Sequence, residues 1–258
     1  MNLKIFSVGG NFGVFDDSLP DGWGNLLLDR YLQEKGINPY KLNVLERLSL
    51  IGSTGRGALE YRPDKSIVTD DEFLDFDRLS KEVEKILESK ESDGSVDLLY
   101  KYGGSSGGAR PKVFAKIDGR EWLVKFKATS DPVNVGEIEY NYSILAKECG
   151  IRMAETRLVN GRYFGVERFD RTPQGKIHTI SAAGLLHANY RIPSLDYSLL
   201  LKLTLNLTKD MEQVAEMFRL MVFNVLIFNR DDHAKNFSFQ WIDGEWKLSP
   251  AYDILQIG

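Results

Sequence analysis

The sequence predicts an α+β protein with two lobes. Three observations point there. Helical periodicity fills most of the first hundred residues. Short strands, paired across Asp118-Gly119 and Asn160-Gly161, then surround one helix, and two helices and a hairpin over Asp243-Gly244 follow. The regular strand–helix alternation of a doubly wound sheet is missing. The domains expected are a mostly helical subdomain over residues 1–100, a strand-rich lobe with a glycine-rich run over 101–170, and a helical lobe over 171–258.

Taken in order, Pro20, Asp21, Gly22 and Gly24 form a turn, and a helix runs from about Asn25 to Lys35, stopped by Gly36. A second helix is expected near Lys41–Ile51, before the glycine-broken turn Gly52–Gly57. Over 71–91, Phe73, Phe76, Leu79, Val83, Ile86 and Leu87 recur at three-to-four spacing, which marks an amphipathic helix with a charged outer face. After the run Gly103-Gly104-Ser105-Ser106-Gly107-Gly108 come strands Lys112–Ile117 and Glu121–Phe126, a helix Gly136–Cys149, and a strand pair Arg157–Val159 and Tyr163–Phe169. Helices Ser194–Leu205 and Met211–Phe228 follow. The second is apolar nearly all round and is expected to be buried. Strands Phe237–Ile242 and Glu245–Leu248 close the chain.

Composition narrows the function classes. At 258 residues, 43% hydrophobic and 27% charged, the chain has an ordinary globular balance, which excludes wholesale disorder. The single Cys149 builds neither an internal disulfide nor a cysteine zinc site, and the three histidines are far apart in sequence. A lone thiol and the absence of a long apolar run lead us to expect a cytoplasmic protein without a membrane segment. Residues 61–100 carry 12 acidic and 6 basic side chains, a net of −6, so against a total of −4 the rest sums to +2. No basic arm with interleaved aromatics stands out, so direct DNA binding by this chain is not indicated.

The segment Asn229-Arg230-Asp231-Asp232-His233-Ala234-Lys235-Asn236 carries the chemistry. Asp231 and Asn236 have the spacing of the base and the metal-binding Asn in a kinase catalytic loop. A carboxylate meets an acceptor hydroxyl there, while an amide oxygen holds Mg²⁺ on the phosphates. Asp253, after the last hairpin, is the expected second metal ligand, and oxygen donors of this kind suit Mg²⁺. Lys125, on a strand, can reach the phosphates, with Glu139 or Glu137 in the next helix to hold it. The glycine run can bring backbone N–H groups close to phosphate; it is not a Walker A motif, because Ala109 stands where that motif has lysine.

These residues resemble the HipA-type serine/threonine kinases, the toxin half of bacterial toxin–antitoxin pairs. The matching pieces are Ser18-Leu19-Pro20-Asp21-Gly22-Trp23-Gly24, Gly55-Arg56-Gly57-Ala58-Leu59, Ser105–Lys112, Val166-Glu167-Arg168-Phe169-Asp170-Arg171, Asp231–Asn236 and Pro250-Ala251-Tyr252-Asp253. The resemblance implies a two-lobed protein-kinase-like fold, ATP and Mg²⁺ as cofactors, and a protein hydroxyl as acceptor, with an aminoacyl-tRNA synthetase as one candidate. It implies Asp231 as catalytic base and Asn236 with Asp253 as metal ligands. It places Gly107, Gly108, Ala109, Arg110, Lys112, Lys125, Glu167, Arg168, Phe169, His233 and Lys235 around ATP, with Glu139 as partner of the lysine. Ser105 matches a self-phosphorylated loop serine, with Ser106 as the neighbouring alternative. The partner implied is an antitoxin of the HipB type, through which DNA would be reached indirectly. The chain resembles the short, HipT-type form, whose N-terminal subdomain a separate small protein supplies. It stops five residues after Asp253, where the family continues with helices, so either a C-terminally truncated protein or a fragment is expected. An inactive kinase-like binding module and a small-molecule kinase are the other readings.

Overall fold

A computed structural model describes residues 11–67, 74–88, 95–188, 196–229 and 231–254. Its helices are α1 (Gly13–Ser18), α2 (Gly22–Glu34), α3 (Val44–Ile51), α4 (Phe76–Glu88), α5 (Ser95–Gly103), α6 (Val135–Glu148), α7 (Ala182–Leu186), α8 (Tyr197–Thr208) and α9 (Met211–Leu226). Its strands are β1 (Lys112–Ile117), β2 (Arg120–Lys125), β3 (Thr156–Val159), β4 (Tyr163–Glu167), β5 (Arg171–Thr172), β6 (Gly175–Lys176), β7 (His178–Ser181), β8 (Ser238–Ile242) and β9 (Glu245–Leu248). The mixture is the α+β class expected. Two compact units divide the chain. One, called here the glycine-loop unit, is Ser18–Tyr140 with Thr156–Arg168. The other, the Asp231 unit, is Met1–Asp17, Asn141–Glu155 and Phe169–Gly258.

In the glycine-loop unit an antiparallel sheet runs β1-β2-β4-β3. Helices α2, α4 and α5 share one core with it: Trp23, Leu27, Leu28, Val83 and Leu99 pack in the same cluster as Val113, Val124 and Phe126. The tight turns follow their residues. Asp118 and Gly119 (φ 53° and 78°), and Asn160 and Gly161 (φ 50° and 71°), take the paired left-handed conformations of a two-residue hairpin. Helix α3 begins at a capping box: the Asn43 side chain accepts from the Glu46 N–H, and the Glu46 carboxylate accepts from the Asn43 N–H. This box starts the helix at Val44 rather than Lys41, and residues Pro39–Lys41 form a short 3-10 turn instead. Of the acidic helix expected over 71–91, α4 occupies Phe76–Glu88 with Phe76, Leu79, Val83 and Ile86 buried; its outer ends and Phe73 lie outside the described residues.

In the Asp231 unit, β7-β8-β9 form an antiparallel sheet. Phe239 and Leu248 from that sheet join Leu200, Met217, Leu220 and Phe223 from α8 and α9 in one core. Helix α9 corrects an expectation. It buries Met217, Leu220, Phe223 and Asn224 on one side, while Phe218, Val222, Val225 and Leu226 are exposed on the other. Apolar residues all round made it read as a buried helix, but only one side faces α8 and the sheet. Helix α8 begins at Tyr197 with Asp196 as its cap, and the expected start at Ser194 lies outside the described residues. No helix among the described residues is long and apolar enough to cross a membrane.

Candidate active site

The glycine run is docked rather than loose. Helix α5 ends at Gly103, and the Ser106 hydroxyl, 1% exposed, donates to the Gly103 carbonyl at 2.6 Å. The partly exposed Ser105 donates to the Thr54 carbonyl at 3.2 Å. Gly108 donates its N–H to the Asp21 carboxylate and accepts from the Trp23 N–H at 2.9 Å. Gly107 and Ala109 are exposed. Beyond the loop, Arg110 lies 3.3 Å from the Asp131 carboxylate.

The strand register then sets the charges. Lys112 on β1 is directly opposite Lys125 on β2, and both are buried, at 5% and 8% exposure. Opposed residues of an antiparallel pair share a face, where like charges repel. Lys125 Nζ donates to Glu139 Oε1 at 2.9 Å, and Arg110 Nη1 lies 4.0 Å from the same oxygen. Glu139 is 4% exposed, whereas Glu137 faces solvent. This part of the unit is therefore rich in buried cations, an arrangement suited to a polyanion. Farther along, Glu167 pairs with Arg120 at 3.1 Å. The Arg168 guanidinium stacks over the Phe114 ring at 4.4 Å and reaches Glu121 and the Gly55 carbonyl, so its donors serve its own unit.

In the Asp231 unit a chain of neutral and charge-assisted hydrogen bonds underlies the Asp231–Asn236 loop. The Tyr197 hydroxyl donates to Asp232 at 2.6 Å and accepts from Asn224 Nδ2 at 3.1 Å. Asn224 Oδ1 in turn accepts from Asn229 Nδ2, and Asn229 Oδ1 accepts from the Asp231 N–H at 3.0 Å. Burial pushes the Tyr197 hydroxyl well above its ordinary range, so it stays a proton donor. The Asp231 side chain is 59% exposed, with His233 Nε2 3.7 Å away. His233 Nδ1 accepts from the Lys235 N–H at 3.3 Å. The Asn236 amide nitrogen donates to the Asp231 carbonyl at 2.6 Å, which fixes that buried side chain and leaves its oxygen as the ligand-type atom.

Asp253 is brought toward this loop through its neighbour. The Tyr252 hydroxyl donates to the Lys235 carbonyl at 2.6 Å and also meets the Ser238 hydroxyl. The residue before Asp253 is thus tied to the residue before Asn236. The Ala251 N–H bonds to the Arg152 carbonyl at 2.7 Å, anchoring the same segment. Asp253 itself is left-handed, φ 53°, a conformation that costs a non-glycine residue free energy and is frequent at functional positions. The Phe169 ring lies 5.5 Å from Tyr252.

Among the described residues no three His, Cys, Asp or Glu side chains cluster as a metal cage. Mg²⁺ does not need one, since it is commonly held by one or two carboxylates together with substrate phosphates and water. An amide oxygen from Asn236 and a carboxylate from Asp253 fit that pattern. Sequence reading quoted Asp21 and Trp23 only within the resembling run Ser18–Gly24 and Asn229 only as the start of the Asp231 segment, and it gave no role to Asp131, Tyr197 or Asn224, which hold these loops. Asn224 alone had a local signal, as a lone amide on the buried face of an apolar helix.

Comparison with known proteins decides the family. A model of the HipA-like C-terminal domain matches residues 104–257, and one of the HipA N-terminal domain matches residues 2–62. The chain belongs to the HipA family. A curated relative named "Putative kinase Y4dM", from Sinorhizobium fredii (strain NBRC 101917 / NGR234), is 30% identical over 159 residues, which is 55% of this chain and 38% of that protein. HipA of Shewanella oneidensis MR-1, solved with HipB and its operator DNA, superposes with a TM-score of 0.69 at 21% identity, covering 95% of this chain and 63% of that one. The kinase CtkA of Helicobacter pylori gives a TM-score of 0.44 at 19% identity over 55% of this chain and 54% of its own. This HipA-family chain thus spans less than two thirds of both the curated relative and the Shewanella HipA, and it shares the latter's fold.

Proposed function

We propose that the chain is an ATP- and Mg²⁺-dependent protein serine/threonine kinase of a toxin–antitoxin pair. The observation that carries this reading is the buried Lys125–Glu139 pair on the strand opposite Lys112, whose amine lies against Gly108 of the glycine loop. Burying such charges costs stability that an apolar pair would not, so their retention points to work on an anion. A strand lysine paired with a helical glutamate, below a glycine loop, is the phosphate-holding arrangement of protein kinases.

In this reading Lys125 and Lys112, with the backbone N–H groups of Gly107 and Ala109, bind the ATP phosphates. Glu167 and Phe169 contribute to the nucleotide's surroundings. The Asn236 oxygen and the Asp253 carboxylate would hold Mg²⁺, which when bound would neutralise charge on the phosphates. Asp231 accepts the proton of the acceptor hydroxyl as that oxygen forms its bond to the γ-phosphorus and the bond to ADP breaks. A hydroxyl of the chain itself is one acceptor. Ser105 is favoured over Ser106, whose hydroxyl is buried and bound to the Gly103 carbonyl. A phosphate at Ser105 would add roughly −1.5 to −2 charges beside the loop and oppose ATP binding. The HipB in the Shewanella complex suggests an antitoxin of that type as partner, with DNA reached through it.

Incubation of the purified chain with γ-labelled ATP and Mg²⁺ tests the proposal. Label on protein, lost in Asp231→Asn, is expected. Thermal stabilisation by ATP with no label transfer would replace it with a binding module, and label on small molecules alone with a small-molecule kinase.

A further inference from the structure

Asp21 stands at the N-cap of α2, a position where an aspartate ordinarily accepts from its own helix's first N–H groups. Here the side chain makes no such bond. Its carboxylate accepts from the Gly108 N–H instead. The Trp23 N–H, one of the donors left over at a helix start, goes to the Gly108 carbonyl at 2.9 Å. The Trp23 indole N–H reaches the Lys112 carbonyl at 3.1 Å. Asp21 and Trp23 are 5% and 2% exposed, so they hold the loop from the core side. The fit is close. A Cβ on Gly22 would fall 2.5 Å from the Gly108 carbonyl oxygen, and one on Gly24 would collide with the Ser106 carbonyl. The usual capping bonds of this helix have been redirected to the glycine loop.

We propose that Asp21 and Trp23 are positioning residues for the glycine loop. They fix both backbone groups of Gly108, so the loop offers the N–H groups of the exposed Gly107 and Ala109 to phosphate already ordered. This rests on the ATP reading above. A loop ordered before binding spares the nucleotide the entropy of ordering it, which raises affinity and leaves the chemical step alone. The carboxylate matters because a charged acceptor makes a stronger bond to N–H than a neutral one.

The experiment compares Asp21→Ala, Asp21→Asn and Trp23→Phe with the parent chain by two readouts. The first is amide hydrogen exchange over residues 107–109 without nucleotide. The second is ATP kinetics, separated into KM and kcat. Asp21→Ala is expected to speed Gly108 exchange by about tenfold or more and to raise KM for ATP about tenfold, the loss of one charge-assisted hydrogen bond, with kcat unchanged. Asp21→Asn keeps an acceptor oxygen and is expected to recover most of both. Trp23→Phe, which keeps the backbone bond to Gly108 but loses the indole bond to Lys112 and some buried ring volume, is expected to show a smaller rise in KM. Unchanged loop exchange in Asp21→Ala overturns the proposal, as does a fall in kcat with KM unchanged. If Asp21→Ala does not fold, the same criteria apply to Asp21→Asn, whose weaker acceptor should still raise exchange and KM measurably. If the parent chain neither binds nor turns over ATP, the ATP reading fails. The exchange comparison needs no nucleotide, so it separates that failure from failure of the loop contact.

Discussion

The two units hold their share of the chemistry in different ways. In the glycine-loop unit the parts are locked by charge: Lys125 to Glu139, Arg110 to Asp131, Gly108 to the Asp21 carboxylate. In the Asp231 unit the Asp231–Asn236 loop sits on amides and a phenol, Asn229, Asn224 and Tyr197, with the Asp231 side chain largely exposed. The difference fits the two tasks. Groups meant to hold a polyanion must keep cations desolvated, and buried cations need counter-charges. In the proposed reaction a proton acceptor must meet an outside hydroxyl, which suits a carboxylate that is 59% exposed on a backbone held at both its N–H and its carbonyl.

Breaking each side separately sharpens the contrast. The largest effect is expected from Asp231→Asn. Loss of a general base lowers phosphoryl transfer about 10²- to 10⁴-fold, with ATP affinity measured by calorimetry unchanged. Next comes Glu139→Ala, which removes the carboxylate that faces the buried Lys125 amine. Urea unfolding should show a loss of about 3–5 kcal/mol, which the double variant Lys125→Met/Glu139→Leu restores in stability but not in activity. On the neutral side, Asn224→Leu leaves Asn229 and Tyr197 each short of a partner. It should cost about 1–3 kcal/mol by the same assay and lower kcat more than it alters KM for ATP.

The smallest effect is a pH dependence. Hydrogen bonds from the Ser66 hydroxyl and N–H, and from Ser53, hold the Asp64 carboxyl at about 2 against its ordinary 3.8. A lowered carboxylate pKa stabilises the fold above the ordinary value and loses that contribution as pH falls toward the folded one. The stability gap between the parent chain and Asp64→Asn should therefore be constant above about pH 5, shrink as pH falls through about 2 and close by about pH 1, followed by thermal melts. The group is partly exposed, so solvent screening keeps the gap small.

What could be read from sequence was local. The hairpin at Asp118-Gly119 was legible because those two residues accept left-handed conformations. The inner face of α4 was legible because its period is that of a helix. The boundary of α2 was not. Its first turn is stabilised by Gly108, more than eighty residues away, so the helix starts at Gly22 rather than Asn25. Helix α5 was hidden because its last residue, Gly103, opens the glycine run and reads as loop. Strand β7 is defined only by pairing with the distant β8. The site shows the same division. Asp231, Asn236, Asp253 and Lys125 stood out by spacing and context. The side chains that hold them, such as Tyr197 and Asn224, come together only in the folded unit.

The central claim is that Asn236 and Asp253 bind one metal together with ATP. Mn²⁺ in place of Mg²⁺ gives the most direct reading, because the paramagnetic ion broadens the NMR signals of nearby nuclei. With Mn²⁺ and ATP added, the Asn236 side-chain amide and the Asp253 backbone amide should broaden together, and Asp253→Ala should abolish the effect at Asn236. Broadening at neither residue, or at Asp253 while Asn236 stays sharp, would contradict it.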